Sequence, residues 1–246
     1  MSIPKIIHYC WFGGGPIGEA DRKCIESWQK FCPDYRIMRW DETNFDLDCS
    51  PYVRQAYDAG RYAFVSDYVR LAVLYEYGGI YLDTDVELVR PLDELLELPG
   101  FMGFQTNNEV ATGLGFGARK GNSVVQALLR DYDALDFLKA DGSADLTPCP
   151  ERNTRVLQAL GVRKDGTRQS IAEMEIFPAE YFCPMDLYSR KLRVTPKTYS
   201  IHRYAESWKP KPSAVSRILQ RLLKKHYYTW YCPLRGRIEG RLRKRT

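Results

Sequence analysis

The stretch "YGGIYLDTDVEL", residues 77–88, restricts the fold more than any other part of the chain. Its two glycines end any helix before them, because glycine readily takes the left-handed backbone of a helix C-terminus. An apolar run of strand type follows at once and ends in two aspartates one residue apart. A strand puts residues i and i+2 on one face, so Tyr81, Asp83 and Asp85 are expected to line up, with Ile80, Leu82 and Val86 pointing the other way. Two ionised carboxylates held side by side repel, and keeping both charged requires a positive partner. A divalent cation that itself holds a phosphate meets that requirement.

Upstream, strands alternate with helices. "IPKIIHYCWFGG" has the continuous apolar run of a parallel-sheet strand covered on both faces, and it leads into a glycine-rich loop. "EADRKCIESWQKF" sets Ala20, Cys24, Trp28 and Phe31 on one helical stripe, and "PDYRIMRWDE" reads as a second strand ended by acids. Residues 50–79 hold two helices broken near Gly60. Ser66 is the expected cap of the second, where Val69, Val73 and Tyr77 recur at helical spacing. This rhythm predicts an α/β fold with crossover connections. Beyond residue 100, "GFMGFQT" and "GLGFGARK" read as short strands and "NSVVQALLRDYDAL" as a helix. "KADGSADLTPCPERN" reads as a loop, "TRVLQALG" as a short helix, and "AEMEIFPAEYFCPMDL" as a strand with an irregular segment.

Composition excludes several classes. The 246 residues are 44% hydrophobic and 27% charged, enough to bury a core, and no window approaches the roughly 18 apolar residues of a membrane span. The apolar stretch at the N-terminus is too short for a signal peptide. The seven cysteines are odd in number and lack a Cys-x-x-Cys pair, which suits reduced thiols in a cytosol and argues against a disulfide framework or structural zinc.

The net charge of +5 conceals a division. Residues 209–246 hold twelve of the 36 Lys and Arg and a single acid, Glu239; the other 24 basic residues face 30 acids. The chain therefore reads as an acidic body, 1–208, with a basic helical tail, 209–246, whose Val215, Ile218, Leu219 and Leu222 share one side. Basic and apolar faces followed by "HYYTWY" fit an anionic membrane surface, where each basic residue contributes about 1 kcal/mol. No nucleic-acid module accompanies the charge, so no nucleic-acid partner is expected. A simply solvated tail is the bland alternative. The expected location is cytoplasmic, peripheral on the inner face of the membrane.

Three elements together resemble glycosyltransferase family 32: "IPKIIHYCWFGG", the block "SDYVRLAVLYEYGGIYLDTD", and "IHRYAESW" near the end of the body. The resemblance brackets residues 3–208. It implies a GT-A fold: one Rossmann-like domain with a mixed, mainly parallel sheet, binding a nucleotide sugar with Mn²⁺ or Mg²⁺. It further implies that Asp85 ligates the metal, and that Asp83 contacts ribose or sugar hydroxyls and reaches the metal through water. Asp67 and Arg70, three apart on a helix, would contact the transferred sugar, with Tyr81 on the aspartates' face. Trp11 resembles the aromatic that stacks on the base, with the backbone at Cys10 reading its edge. His202 resembles a metal ligand, and Ser207 and Trp208 resemble phosphate contacts. Where many relatives carry a second histidine this chain has Arg203, which cannot ligate a metal but can hold a phosphate. The implied reaction is retaining transfer of a hexose, UDP-linked rather than GDP-linked, to a glycan or lipid-linked acceptor in surface polysaccharide or capsule synthesis. The acceptor region, 100–195, has no such match; Asn107, Asn108 and Glu109 fall in a loop that could approach the sugar.

Other readings stay open at this point. Asp-x-Asp occurs by chance in many proteins, and solvated charges at a strand end satisfy the pattern. Asp67 and Arg70 could form a surface ion pair worth ~0.5 kcal/mol. His8 suits a strand support and residues 13–15 an ordinary turn. A haloacid-dehalogenase-like phosphatase would use Asp83 as nucleophile, with "DGSAD" at 141–145 offering further acids. A non-catalytic glycan-binding protein on a degenerate transferase fold is the third reading.

Overall fold

β1 (Ile6–Cys10) is buried along almost its whole length, as a continuous apolar run requires. It pairs in parallel with β2 (Arg36–Trp40) on one side and β3 (Gly79–Tyr81) on the other. Helix α1 (Glu19–Phe31) connects β1 to β2; α2 (Pro51–Asp58) and α3 (Tyr62–Tyr77) connect β2 to β3. The computed structural model describes residues 2–186 and 189–204.

After β3 come β4 (Val86–Leu88), β5 (Gly100–Phe104), β6 (Val110–Ala111), β7 (Phe116–Ala118), α4 (Ser123–Asp133) and α5 (Cys149–Ala159). β8 (Gln169–Ile171), β9 (Met174–Phe177), α6 (Ala179–Phe182) and β10 (Ser200–His202) complete the order. The main sheet runs β2-β1-β3-β7-β5-β9-β8, with β6 added beside β5. β1, β2, β3, β5 and β9 point one way and β6, β7 and β8 the other, so the sheet is mixed and mainly parallel in strand direction. The expected α/β class holds. β4 leaves this sheet and pairs antiparallel with β10, which sets His202 opposite Val86.

The sheet separates two apolar layers. Val65, Val69, Leu128 and Leu157 pack on one face under α2–α5; Trp28, Leu82, Val86 and Phe182 pack on the other. Tyr81 belongs to the first layer and Ile80, Leu82 and Val86 to the second, as strand alternation predicts. α3 is buried on nearly every side, and its buried residues include Asp67 and Arg70. Two charged groups inside such a helix need partners.

At β1, His8 is fully buried between a Gly78 carbonyl, 2.9 Å from Nε2, and the Trp40 indole N–H, which donates to Nδ1 at 3.0 Å. Nδ1 therefore accepts and Nε2–H donates. Burial pushes the imidazole pKa down to about 4, so His8 is a neutral strut. Gly79, at φ +111°, is needed beside it: a Cβ there would lie 2.8 Å from the Ile6 carbonyl oxygen.

Several elements differ from the sequence reading. α3 starts four residues before Ser66, whose hydroxyl donates back to the Tyr62 carbonyl at 3.0 Å inside the helix instead of capping it. α5 begins at Cys149, within the expected loop, because prolines at the first helical positions give up no hydrogen bond. The two-residue β6 and the hairpin strand β8 had no periodicity long enough to read. Residues 209–246, and with them the expected helical tail, lie outside the described residues. Among the described residues no helix is long and apolar enough to cross a membrane, and all six described cysteines are free thiols.

Candidate active site

β3 ends at Tyr81, so the strand expected to run through both aspartates is broken. Leu82 N–H still donates to the His8 carbonyl at 3.0 Å and Asp83 N–H to the Gly113 carbonyl at 3.2 Å. The chain then turns, with Val86 N–H donating to the Asp83 carbonyl at 3.0 Å. Helix α1 holds the turn from outside: the Trp28 indole donates to the Val86 carbonyl at 2.7 Å and the Thr84 hydroxyl to Asp21 at 2.9 Å. These partners satisfy the backbone that a longer strand would have paired. The two carboxylates are therefore gathered by a turn, not by pleat alternation.

β10 completes the group. His202 Nε2 lies 3.2 Å from Asp85 Oδ1, and Arg203 N–H donates to the Asp85 carbonyl at 2.9 Å. One ligand atom each from Asp83, Asp85 and His202 all fall within 4.8 Å of one another. Two carboxylates and an imidazole converging this closely fit a divalent cation, and a carboxylate-rich set favours Mn²⁺ or Mg²⁺.

On the other side of Asp83 stands Arg70. Its Nη2 reaches Asp67 Oδ1 at 3.0 Å and Asp83 Oδ1 at 3.1 Å, and Nε–H donates to the Ser66 carbonyl at 3.0 Å. Nη1 faces the Thr112 hydroxyl at 3.5 Å and Cys149 Sγ at 4.0 Å. The guanidinium lies 4.9 Å from the centre of the Tyr81 ring, whose hydroxyl donates to Asp83 Oδ1 at 3.1 Å. All of its N–H groups thus meet protein acceptors.

Acids crowd the site: among the described residues Arg70 meets Asp67 and Asp83 at once, and Asp85 lies beside Asp83 and His202. Burial pushes the Asp67 carboxyl up to about 6 against the pull of Arg70. Burial also raises Asp83, opposed by Arg70 and reinforced by Asp85. For His202 burial acts downward, but Asp85 outweighs it and holds the imidazolium proton above the usual range. Carboxylates strained in this direction attract a cation.

The remaining sequence-predicted residues are placed as follows. Cys10 closes β1 with a buried thiol pushed up to about 12 by burial. Trp11 follows it, half-buried, its indole N–H donating to the Gly15 carbonyl at 2.6 Å and its backbone N–H to Trp40 at 2.9 Å. Arg203 pairs with Glu87, which occupies the guanidinium expected to meet a phosphate. Asn107 donates to Glu109 at 2.9 Å and Lys164 pairs with Glu109 at 3.1 Å, so this loop is tied to itself and to Lys164. Asp141 accepts from Ser143, and Asp145 pairs with Arg152 at 2.7 Å, leaving the acids of "DGSAD" in local structural roles. Ser207 and Trp208 lie outside the described residues.

Four residues of the unmatched region join the site without any sequence signal of their own. Thr112, Cys149 and Asn153 form a buried polar group against Arg70, with the Asn153 amide donating to Thr112 Oγ1 and Cys149 Sγ, both at 3.1 Å. Gly113 lies under Asp83, and an added Cβ would overlap the Asp83 carboxylate. Only the proline pair flanking Cys149 hinted that a helix N-terminus starts there.

Residues 18–101, which include α3 and both aspartates, match the family described as the glycosyltransferase sugar-binding region containing DXD motif. The chain is 32% identical over 144 residues to inositol phosphoceramide mannosyltransferase 3 of Schizosaccharomyces pombe, covering 55% of this chain and 39% of that protein. It spans well under half the length of that relative. It is 25% identical over 223 residues to the uncharacterized glycosyltransferase L373 of Acanthamoeba polyphaga mimivirus, covering 85% and 84% of the two chains. Among solved structures, the PaToxG glycosyltransferase aligns at 21% identity and a TM-score of 0.49, over 64% of this chain and 69% of its own. The family match and both relatives lie with glycosyltransferases, and residues 18–101 of this chain carry the similarity to the sugar-binding region with its DXD motif.

Proposed function

We propose that the chain is a metal-dependent, retaining hexosyltransferase of GT-A type. In this reading it moves a hexose from a nucleoside diphosphate, UDP in the first instance, to a hydroxyl of a glycan or lipid-linked acceptor in surface polysaccharide synthesis. The observation that carries the reading is the convergence of Asp83, Asp85 and His202 within 4.8 Å, beside the buried Asp67–Arg70 pair.

A bound Mn²⁺ or Mg²⁺ supplies Lewis-acid neutralisation of the diphosphate as the glycosidic bond breaks. Asp85 and His202 would hold it. Asp83, with 28% of its side chain exposed against 15% for Asp85, would serve both the cation and the hydroxyls of the ribose and sugar. Asp67 accepts from a sugar hydroxyl. Arg70, its donors already taken by the protein, aligns Asp67 and Asp83 instead of grasping the sugar itself. Trp11 stacks on the base, the backbone at Cys10 reads its edge, and Ser207 and Trp208 contact phosphate. The acceptor oxygen bonds to the anomeric carbon on the face the diphosphate leaves. The carbon–oxygen bond to phosphate breaks in step, and the acceptor proton passes to the departing phosphate oxygen. The basic tail keeps the enzyme at an anionic membrane on the cytoplasmic side; its sedimentation with anionic vesicles should fall with salt and vanish on deletion of 212–246.

The mannosyltransferase names of several relatives support a second transferred sugar, mannose, with an inositol phosphoceramide lipid as acceptor, and GDP-mannose is the donor that tests it. Both donors test the same site. Purified chain is incubated with UDP-glucose, UDP-galactose, UDP-N-acetylglucosamine or GDP-mannose, with Mn²⁺ or EDTA, and free nucleotide is measured. We expect release from one donor that requires Mn²⁺ and drops at least about 100-fold in Asp85→Ala with the fold intact. Near-normal transfer by that variant would refute the assignment.

A further inference from the structure

His202 presents an unusual arrangement for a metal-binding histidine. In most such residues the second ring nitrogen donates to a carboxylate or carbonyl, and that bond fixes the ring's orientation. Here Nε2 faces Asp85, while Nδ1 is buried and has no hydrogen-bond partner among the described residues. What touches the ring is Tyr204. The two ring centroids are 4.3 Å apart with their planes at 71°, an edge-on contact.

Tyr204 is itself held from three directions. Its hydroxyl lies 2.8 Å from Cys183 Sγ. The Arg190 guanidinium stands 5.0 Å from its ring centre and reaches its carbonyl oxygen at 3.5 Å. Its backbone adopts φ +53°, the left-handed region that an aromatic residue rarely enters and that costs about 1–2 kcal/mol. An extended chain would separate residues i and i+2 by ~6.6 Å; the left-handed turn lets the ring fold back on His202. Residues so constrained at the edge of a site mark a functional demand.

We infer that Tyr204 is the positioning residue for His202: its clamped ring sets the imidazole in the ligating orientation that a hydrogen bond to Nδ1 would otherwise set. The inference rests on the reading of His202 as a metal ligand given above, and the experiment separates the two. Mn²⁺ alone is titrated by calorimetry into metal-free full-length protein and its variants, with thermal unfolding measured in EDTA. Tyr204→Asn and Tyr204→Gly both accept the left-handed backbone, so they remove the ring without adding strain. Tyr204→Phe keeps the ring and loses only the hydroxyl.

We expect His202→Ala to weaken Mn²⁺ binding. The Asn and Gly variants lose a buried ring and should melt lower, and in their folded state they should bind Mn²⁺ about tenfold more weakly, while the Phe variant should stay within about threefold of the parent. Parent-like Mn²⁺ affinity in a folded Tyr204→Asn or Tyr204→Gly protein, alongside weakened binding by His202→Ala, overturns the positioning role alone. Parent-like affinity in His202→Ala overturns the ligand assignment and the inference with it.

Discussion

Arg70 and Arg152 are both buried, both paired with two aspartates and both set against a tyrosine ring, yet Asp145 beside one and Asp67 and Asp83 beside the other respond in opposite ways. Arg152 meets Asp145 at 2.7 Å and Asp131 at 3.9 Å, with its guanidinium 5.4 Å from the Tyr132 ring centre. Burial alone would raise Asp145, but the Thr147 hydroxyl and amide and the Arg152 charge outweigh it and bring the carboxyl down to about 2. Arg70 meets Asp67 and Asp83 at similar distances, and there burial wins and both carboxyls rise. Asp145 has hydroxyl and amide donors beyond its arginine, whereas the Arg70 cluster has a third acid, Asp85, close by. A buried ion pair with enough donors serves the fold. One that gathers several acids around few donors suits a cation, and that crowding distinguishes a site from a strut.

The contrast can be broken most forcefully at Arg152. Arg152→Met strips Asp145 of its charge partner and should cost about 3 kcal/mol in denaturant unfolding, while turnover per folded molecule survives. Lost turnover in the folded fraction would make the two clusters alike. The converse change is Gly113→Ala: its methyl group displaces the Asp83 carboxylate, and turnover should fall about 100-fold with the melting temperature nearly unchanged. Normal turnover there would separate Asp83 placement from the chemistry.

Acid titrations sharpen the comparison. Asp67 has a folded pKa raised to about 6 from 3.8, so the folded state binds the proton more tightly; stability falls as pH rises through that window and the full penalty is present above it. Asp67→Asn, measured in EDTA, should therefore stabilise by about 3 kcal/mol at pH 7.5 and leave stability unchanged at pH 3, while losing activity. Asp145 is lowered to about 2, so its contribution is present above 3.8 and is lost as pH falls through about 2. Asp145→Asn should destabilise by about 2 kcal/mol at pH 7.5. Shifts of the same sign in both variants would end the distinction. The smallest effect belongs to Thr112→Val, which removes an acceptor 3.5 Å from Arg70 and should lower turnover only severalfold, a loss of about 1 kcal/mol. A larger loss would move Thr112 from support to direct contact with the donor.

Legibility along the chain followed the range of the interactions. α1 was readable to the residue, because Cys24 and Trp28 recur at helical spacing against one layer. The i,i+3 meeting of Asp67 and Arg70 followed from helical geometry as well. The aspartates themselves were legible as residues but not as a shape. A strand reading set them on one face, whereas partners on α1 and at Gly113, distant in sequence, closed a turn around them. Thr112, Cys149 and Asn153 left no trace, since a lone threonine, cysteine or asparagine carries meaning only beside the guanidinium it faces. Arg203 was readable as a cation free to meet phosphate until Glu87 appeared across the β4–β10 pair.

The amino-acid order alone determined the alternation of strands and helices, the stop at Gly78–Gly79, and the acids that follow, because periodicity, backbone freedom and like-charge repulsion act between near neighbours. Tertiary structure alone decided which acids are brought together. Whether a buried carboxyl rises or falls depends on the donors that offset its burial: Asp145 finds two of them on Thr147, two residues on, whereas the packing of α3, α5 and β10 around the turn sets both burial and partners at Asp67 and Asp83.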